Sequence, residues 1–339
     1  VLLGITLLGV LAAPFVITIF APGFVESPDK IALAAEMLRW TFPYLLFISL
    51  TALFGGVLNT YNRFAIPAVT PALLNVAIIA VVIFVAPNLS RPIMGLAIGV
   101  FAGGILKLVL QIAAATKLGL VGPIRIGFRD PGVKKIMRLM APAMFGASVS
   151  QINLLLDTLI ASLLTVGSIS WLYYSDSLVE FPLGVFVIAL ATVILPNLSR
   201  QFTRGDNEMF SQTLDWALRL VIMNEIPAAV ALSVLARTLL ATIFLYGECG
   251  LHDLEMASES LMAYSLGLIA FILIKILAPA YFSRQDTKTP VKIGIVAMIV
   301  NLCLNLLLMG PMGHTGLALA TSIAAFVNAG LLFNGLRRR

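Results

Sequence analysis

The feature that most constrains this chain is the recurrence, along its whole length, of apolar runs about 18 residues long or longer, each able to cross a hydrocarbon core of about 30 Å as a helix. Backbone groups inside a bilayer find no water, so each spanning segment must satisfy its own hydrogen bonds, and a helix does so. Composition agrees: 60% of residues are apolar and 11% charged, whereas a soluble domain carries roughly 25% charge. The expected class is an all-α polytopic membrane protein.

Apolar runs between Pro, Gly and charged breaks predict about ten spans, near 1–20, 38–58, 66–86, 92–115, 139–165, 171–195, 214–245, 260–282, 290–310 and 315–336. The net charge of +6 does not point to nucleic acid, because the basic residues sit in short loops between spans, where orientation rules place them. If the first span runs outward, the cytoplasmic segments hold Arg63, Lys117, Arg125, Arg129, Lys134, Lys135, Arg138, Arg200, Arg204, Arg284, Lys288, Lys292 and Arg337 to Arg339. The opposite loops are acidic, with Glu26, Asp29, Glu36, Glu248, Asp253, Glu255 and Glu259. This predicts a multi-pass membrane protein with both termini in the cytoplasm. Residue 1 lies inside an apolar run without Met or a basic leader, so the sequence is read as starting within a longer protein.

A shift of 224 residues lays Val10-Leu11-Ala12 on Val234-Leu235-Ala236, Thr18-Ile19-Phe20 on Thr242-Ile243-Phe244 and Asp29 on Asp253; Pro67 falls on Pro290 at a shift of 223. Six spans fit in that interval, so the copies point the same way, as in parallel-repeat transporters. The expected organisation is an N-terminal lobe over 1–135 with four spans and a cytoplasmic linker near 116–138, then a C-terminal lobe over 136–339 with six. Two opening helices of the first copy would lie before residue 1.

Ionisable residues inside spans are costly and mark cavities or pathways. In Tyr173-Tyr174-Ser175-Asp176-Ser177-Leu178-Val179-Glu180-Phe181-Pro182, helical spacing puts Tyr173, Asp176, Ser177, Glu180 and Gly184 on one face, and Pro182 is expected to kink the helix. Asp157, four residues after Asn153, either lines a central cavity or bonds to a neighbouring helix. Lys275 either snorkels or offers a cation to an anionic substrate, and Lys107 is similar. Arg219 reads as an interface anchor. Two polar loops, with Asn59 and Arg63 in one and Arg284, Gln285, Asp286 and Lys288 in the other, are tight turns or headgroup contacts, or else a cytoplasmic gate. Cys249, Cys303, His252 and His314 are isolated, so neither a disulfide nor a metal site is expected. No nucleophile with a base and no phosphate-cradling loop appears, so an enzyme is not expected.

Ala21-Pro22-Gly23-Phe24, Leu58-Asn59-Thr60-Tyr61-Asn62-Arg63-Phe64, Tyr173-Tyr174 to Phe181-Pro182, and Tyr281-Phe282-Ser283-Arg284-Gln285-Asp286 followed by Lys288-Thr289-Pro290 resemble the signatures of the MurJ (MviN) family, within the multidrug/oligosaccharidyl-lipid/polysaccharide exporter superfamily. The resemblance implies a two-lobed exporter fold, of which this chain covers the third to twelfth helices and lacks the first two. It also implies flipping of a lipid-linked peptidoglycan precursor (lipid II), an undecaprenyl-diphosphate-linked saccharide, by alternating access. Coupling to the membrane potential, Na+ or H+ is expected, with no bound cofactor; the partners are membrane lipids and cell-wall synthesis proteins. The family carries arginines for the diphosphate on its first two helices and one on the eighth, where this sequence has Ser177, so the chain as given is expected not to flip the precursor. Asn224-Glu225 and Gly247-Glu248-Cys249-Gly250 also depart from its pattern. Two alternatives stand beside this one: a cation-coupled drug antiporter of the same superfamily, favoured by an excess of anionic groups in the cavity, and a non-transporting membrane remnant.

Overall fold

The computed structural model describes residues 2–24, 27–61, 63–120, 148, 151–284 and 286–338. Among them the regular structure is entirely helical. In chain order the helices are α1 (Leu2–Leu11), α2 (Ala13–Phe20), α3 (Pro28–Thr41), α4 (Tyr44–Thr60), α5 (Ala65–Phe84), α6 (Met94–Lys117), α7 (151–162), α8 (Ser168–Thr203), α9 (Asn207–Val234), α10 (Ala236–Phe244), α11 (Leu251–Ser283) and α12 (Lys288–Arg337). Six stretches are long and apolar enough to cross a membrane, and a seventh joins α1 to α2 across a 76° bend.

Helix starts follow from local chemistry. Pro28 opens α3 with Asp29 in its first turn, where a fixed φ and a negative charge suit a helix N-terminus. Asp206 caps α9 by accepting from the Met209 N–H at 2.9 Å. Asp286 does the same before α12, accepting from the Thr289 N–H at 3.0 Å and from its hydroxyl at 2.7 Å.

Contacts divide the chain into two compact units, Val1–Lys134 and Lys135–Arg339. In the first, α6 is wedged between α4 and α5. Gly95, Gly99 and Gly103 recur every four residues along one face of α6, where an added Cβ would meet Ala86, the Ile78 backbone and Leu74. Gly104 lies against Tyr44 and Phe47 of α4 in the same way. Small residues at this spacing let helix backbones approach within a membrane.

The second unit is built on side chains. α11 is its axis, with Leu261, Leu268, Ile272, Leu277 and Tyr281 fully buried. It packs against α8, α9, α10 and α12. α8 runs parallel to α11 in a fixed register: the Trp171 indole N–H donates to Asp253 at 2.8 Å, and the Ser175 hydroxyl donates to the Ala257 carbonyl at 2.7 Å.

The structure refines the expected spans. The stretch 38–58 begins earlier, with Pro28–Thr60 running as one span of 33 residues. The expected run 214–245 divides into α9 and α10 at Leu235. The spans 290–310 and 315–336 have no loop between them: α12 is 50 residues long and broken only at Gly313, whose φ of 57° is left-handed. A 50-residue helix would extend about 75 Å, more than twice a hydrocarbon core, so the break makes α12 two spans. The halves fold tightly there, since a Cβ on Gly316 would meet the Leu308 carbonyl oxygen at 2.5 Å.

Two pairs of elements correspond between the units. The break between α1 and α2 at Ala12 matches that between α9 and α10 at Leu235, and the 33-residue span Pro28–Thr60 matches the 33-residue α11.

Candidate functional site

The helix pair α7 and α12 carries the densest polar contact inside the second unit. Asn305, fully buried, donates from Nδ2 to Asp157 Oδ1 at 2.6 Å, and Asn153 donates to Oδ2 at 3.1 Å. Asn301 shares its amide between Asn153 Oδ1 at 3.1 Å and the two Asp157 oxygens at 3.3 and 3.4 Å. Asp157 thus takes the helix-to-helix alternative, with three amides about one carboxylate. The outer oxygens of Asn301 and Asn305 are buried without a hydrogen-bond partner. Unmet acceptors of this kind cost free energy and point to a missing donor or cation.

Asp176 lies within electrostatic range of Asp157 and of Glu180. Tyr264 on α11 faces both Asp157 and Asp176. On α8, Tyr173, Asp176, Glu180 and Gly184 are exposed and Ser177 is half-exposed, so the polar face expected from spacing is open. Ser177 spends its hydroxyl on the Tyr173 carbonyl at 2.8 Å. α8 continues through Pro182 to Thr203.

Lys275 does not join this group. The offset of 82 residues between α8 and α11 sets Lys275 level with residue 193, thirteen positions beyond Glu180 and about 20 Å farther along the helix. Its side chain is exposed.

The polar loops fall in different units. Asn59 and Arg63 are exposed in the first. In the second, the Arg284 guanidinium lies 4.5 Å over the Phe210 ring, tying the end of α11 to the start of α9. Asp286 caps α12, Lys288 is exposed, and Gln285 lies outside the described residues.

Several expectations need correction. Lys107 neither snorkels nor projects: it is 7% exposed, and its ammonium donates to the Tyr44 hydroxyl at 3.0 Å. A turn away, buried Gln111 donates to Thr70 at 3.1 Å. Arg219, by contrast, stays on the surface of α9, where an interface anchor sits, and pairs with Asp215 at 2.7 Å. The two histidines are not isolated, because both lie against Trp171. Glu225 is fully buried and both its oxygens lack a partner; it occupies the stripe of α9 that otherwise buries Ala217, Val221, Ala229 and Leu232. Both cysteines are free.

Sequence reading missed Asn301, Asn305 and Tyr264. A signal existed for the asparagines, since two amides four residues apart in an otherwise apolar run share one helix face. Tyr264 had none, because only the packing of α8 on α11 brings it near the carboxylates.

The basic groups of the second unit collect mainly at one end, where Asp206, Glu208 and Asp286 lie among them, while Arg237 stands at the other. Gln201 bonds Thr213 at 2.8 Å and Tyr281 bonds the Leu332 carbonyl at 2.9 Å, gathering Arg200, Arg204, Arg284, Lys288, Lys292, Arg337 and Arg338 at one end. Glu248, Asp253, Glu255 and Glu259 gather at the other, where Arg237 pairs with Glu255 at 3.3 Å.

Comparison with known proteins bears on what such a unit does. The family model described as lipid II flippase MurJ matches residues 1–339. A probable lipid II flippase MurJ from Vibrio cholerae serotype O1 is 50% identical over 98% of this chain and 65% of its own length. The lipid II flippase MurJ of Burkholderia cenocepacia is 42% identical over 99% of the chain and 66% of its own. The chain therefore spans about two thirds of the length of these relatives. A solved structure of lipid II flippase MurJ in an inward closed conformation superimposes with a TM-score of 0.86 at 28% identity, covering 99% of this chain and 69% of that one. An inward-facing multidrug transporter of the MATE family shares the fold alone, with a TM-score of 0.78 at 12% identity over 98% of this chain and 78% of its own. With a match along all 339 residues, close relatives and a shared fold, this multi-pass membrane chain belongs to the MurJ lipid II flippase family.

Proposed function

We propose that this chain, extended by two opening helices, moves a lipid-linked peptidoglycan precursor across the bacterial inner membrane by alternating access, as a transporter rather than an enzyme. The whole-chain match to the lipid II flippase family carries the reading. The finer architecture we propose is ten spans in two lobes that repeat one order of helices, with an undecaprenyl diphosphate as the lipid-linked part of the substrate. Segregation of charge in the second unit supports an orientation with Arg284, Lys288 and both termini in the cytoplasm and Asp253 outside. With Cys249 and Cys303 replaced, a cysteine at 284 should resist an impermeant label in intact cells and one at 253 should react; the reverse pattern overturns the orientation.

The second unit's share is cation coupling. Asp157, Asp176 and Glu180 form an anionic group, while Ser177 is neutral and Lys275 lies about 20 Å away. Such a group repels a diphosphate and attracts Na+ or H+. Rotating the Asn301 or Asn305 amide would add an oxygen beside Asp157, and hard cations prefer oxygen ligands. The same anionic excess would suit a cation antiporter, so the test separates the two. In cells depleted of their own flippase, this sequence extended by the two opening helices of a family relative should restore growth where residues 1–339 alone do not, and Asp157→Asn in the extended protein should abolish the rescue. Failure of the extended protein to rescue, joined to Na+- or H+-driven drug efflux, would instead support the antiporter.

A further inference from the structure

Both histidines of the chain meet on one side chain. Trp171 is 4% exposed; the His252 ring stands edge-on to it with centroids 5.6 Å apart, and the His314 ring is tilted against it at 4.9 Å. The indole N–H donates to Asp253, whose other oxygen accepts from the Gly250 N–H at 3.0 Å. His314 Nε2 lies 3.0 Å from the Met256 carbonyl oxygen, which can only accept, so that nitrogen carries a proton. Gly167, with φ of 107°, lies beneath the indole: a Cβ there would approach Trp171 at 2.5 Å. His314 adjoins the Gly313 break, and the next residue, Thr315, donates to Glu259 at 3.3 Å. The start of α8, the start of α11 and the break in α12 are thereby joined through one indole.

We propose that this node is a proton-operated latch: an imidazolium at His314, assisted by one at His252, grips the Trp171 indole and holds the α12 break against α8 and α11, and loss of the proton loosens it. Histidine is the side chain whose ordinary charge change falls between pH 5 and 8. A cation near an indole is drawn to the ring's negative face, most strongly where water is excluded, and the bond from the indole N–H to a carboxylate polarises the ring in the same sense. The charged groups around the node are mostly anionic. Asp253 and Glu259 face it from α11, Asp176 lies a little over a turn beyond Trp171 on α8, Cys249 precedes α11, and the Arg237–Glu255 pair between α10 and α11 is internally neutral. With the imidazolium present the latch is shut; with its proton lost it opens. The break then gains freedom to change the angle between the α12 halves, one of which carries Asn301 and Asn305.

The test uses the whole chain in lipid nanodiscs with Trp40→Phe and Trp216→Phe, so that Trp171 is the sole tryptophan. Protonated histidine quenches a contacting indole, so emission should fall about twofold or more between pH 8 and pH 5. His314→Gln should remove most of that change and His252→Gln a smaller part. The unsubstituted chain supplies a second measurement independent of variant folding: hydrogen exchange of the segment 310–318, corrected for intrinsic pH dependence, should be about threefold to tenfold slower at pH 5 than at pH 8. Emission that does not change with pH, a change that survives His314→Gln with His252→Gln, or equal corrected exchange at both pH values overturns the latch.

Discussion

The two units each carry a helix break followed by an apolar stretch of 33 residues, and they differ in what holds them together. In the first, Pro28–Thr60 divides at Phe42 into α3 and α4, and α6 packs through glycines onto the backbones of its neighbours. In the second, the matching 33 residues are the unbroken α11, surrounded by interlocked large side chains. Their buried charges also differ in sign. The first holds Lys107 against Tyr44, whereas the second holds Asp157 among asparagines and Glu225 among aliphatics. One pattern of spans is thus compatible with two packing chemistries, because the bilayer fixes the length and polarity of a span and leaves the helix contacts free.

Substitutions that exchange the two chemistries should break the comparison. Tyr281→Ala should have the largest effect, since it empties a fully buried site on the axis of the second unit and strips the Leu332 carbonyl of its donor. A loss of about 3–5 kcal/mol is expected, read as collapse of the monodisperse peak in size-exclusion chromatography. Next comes Gly99→Leu, which drives a side chain into the Ile78 backbone and should cost about 1–3 kcal/mol, lowering the thermal midpoint and exposing the α5–α6 hairpin to protease. Glu225→Leu should act in the opposite direction, raising the midpoint by relieving a carboxyl with no partner; a gain of about 1–2 kcal/mol is expected. The smallest effect belongs to Lys107→Met, which trades one hydrogen bond for a neutral stem and should move stability by about 1 kcal/mol or less. A large loss there would show that the first unit depends on its buried cation as strongly as the second depends on its core.

Much of the fold was legible in the sequence because hydropathy and charge placement act residue by residue. The apolar spans and the open polar face on α8 follow from patterns within one segment. What was not legible depends on contacts between distant segments. The Asp157 network joins residues up to 148 positions apart, and the placing of Lys275 away from Glu180 needs the register of α8 on α11. Lys107 read like Lys275 because both are lone lysines in apolar runs; only the approach of α4 through Gly104 supplies the Tyr44 hydroxyl. The histidines lie 62 residues apart in sequence, His252 and His314, and no spacing rule connects them through a tryptophan.

The loopless break at Gly313 also bears on how the chain enters its membrane. Between Lys292 and Arg337 there is no Asp, Glu, Lys or Arg, so both halves of α12 can leave the insertion machinery together as one hairpin. Only the tip around Pro311 and Thr315 must cross, with His314 as its sole titratable group. Crossing is least costly while that imidazole is neutral. A hairpin that enters in this way takes the orientation of both halves in a single event, with Lys288, Lys292 and Arg337 as anchors at its open end.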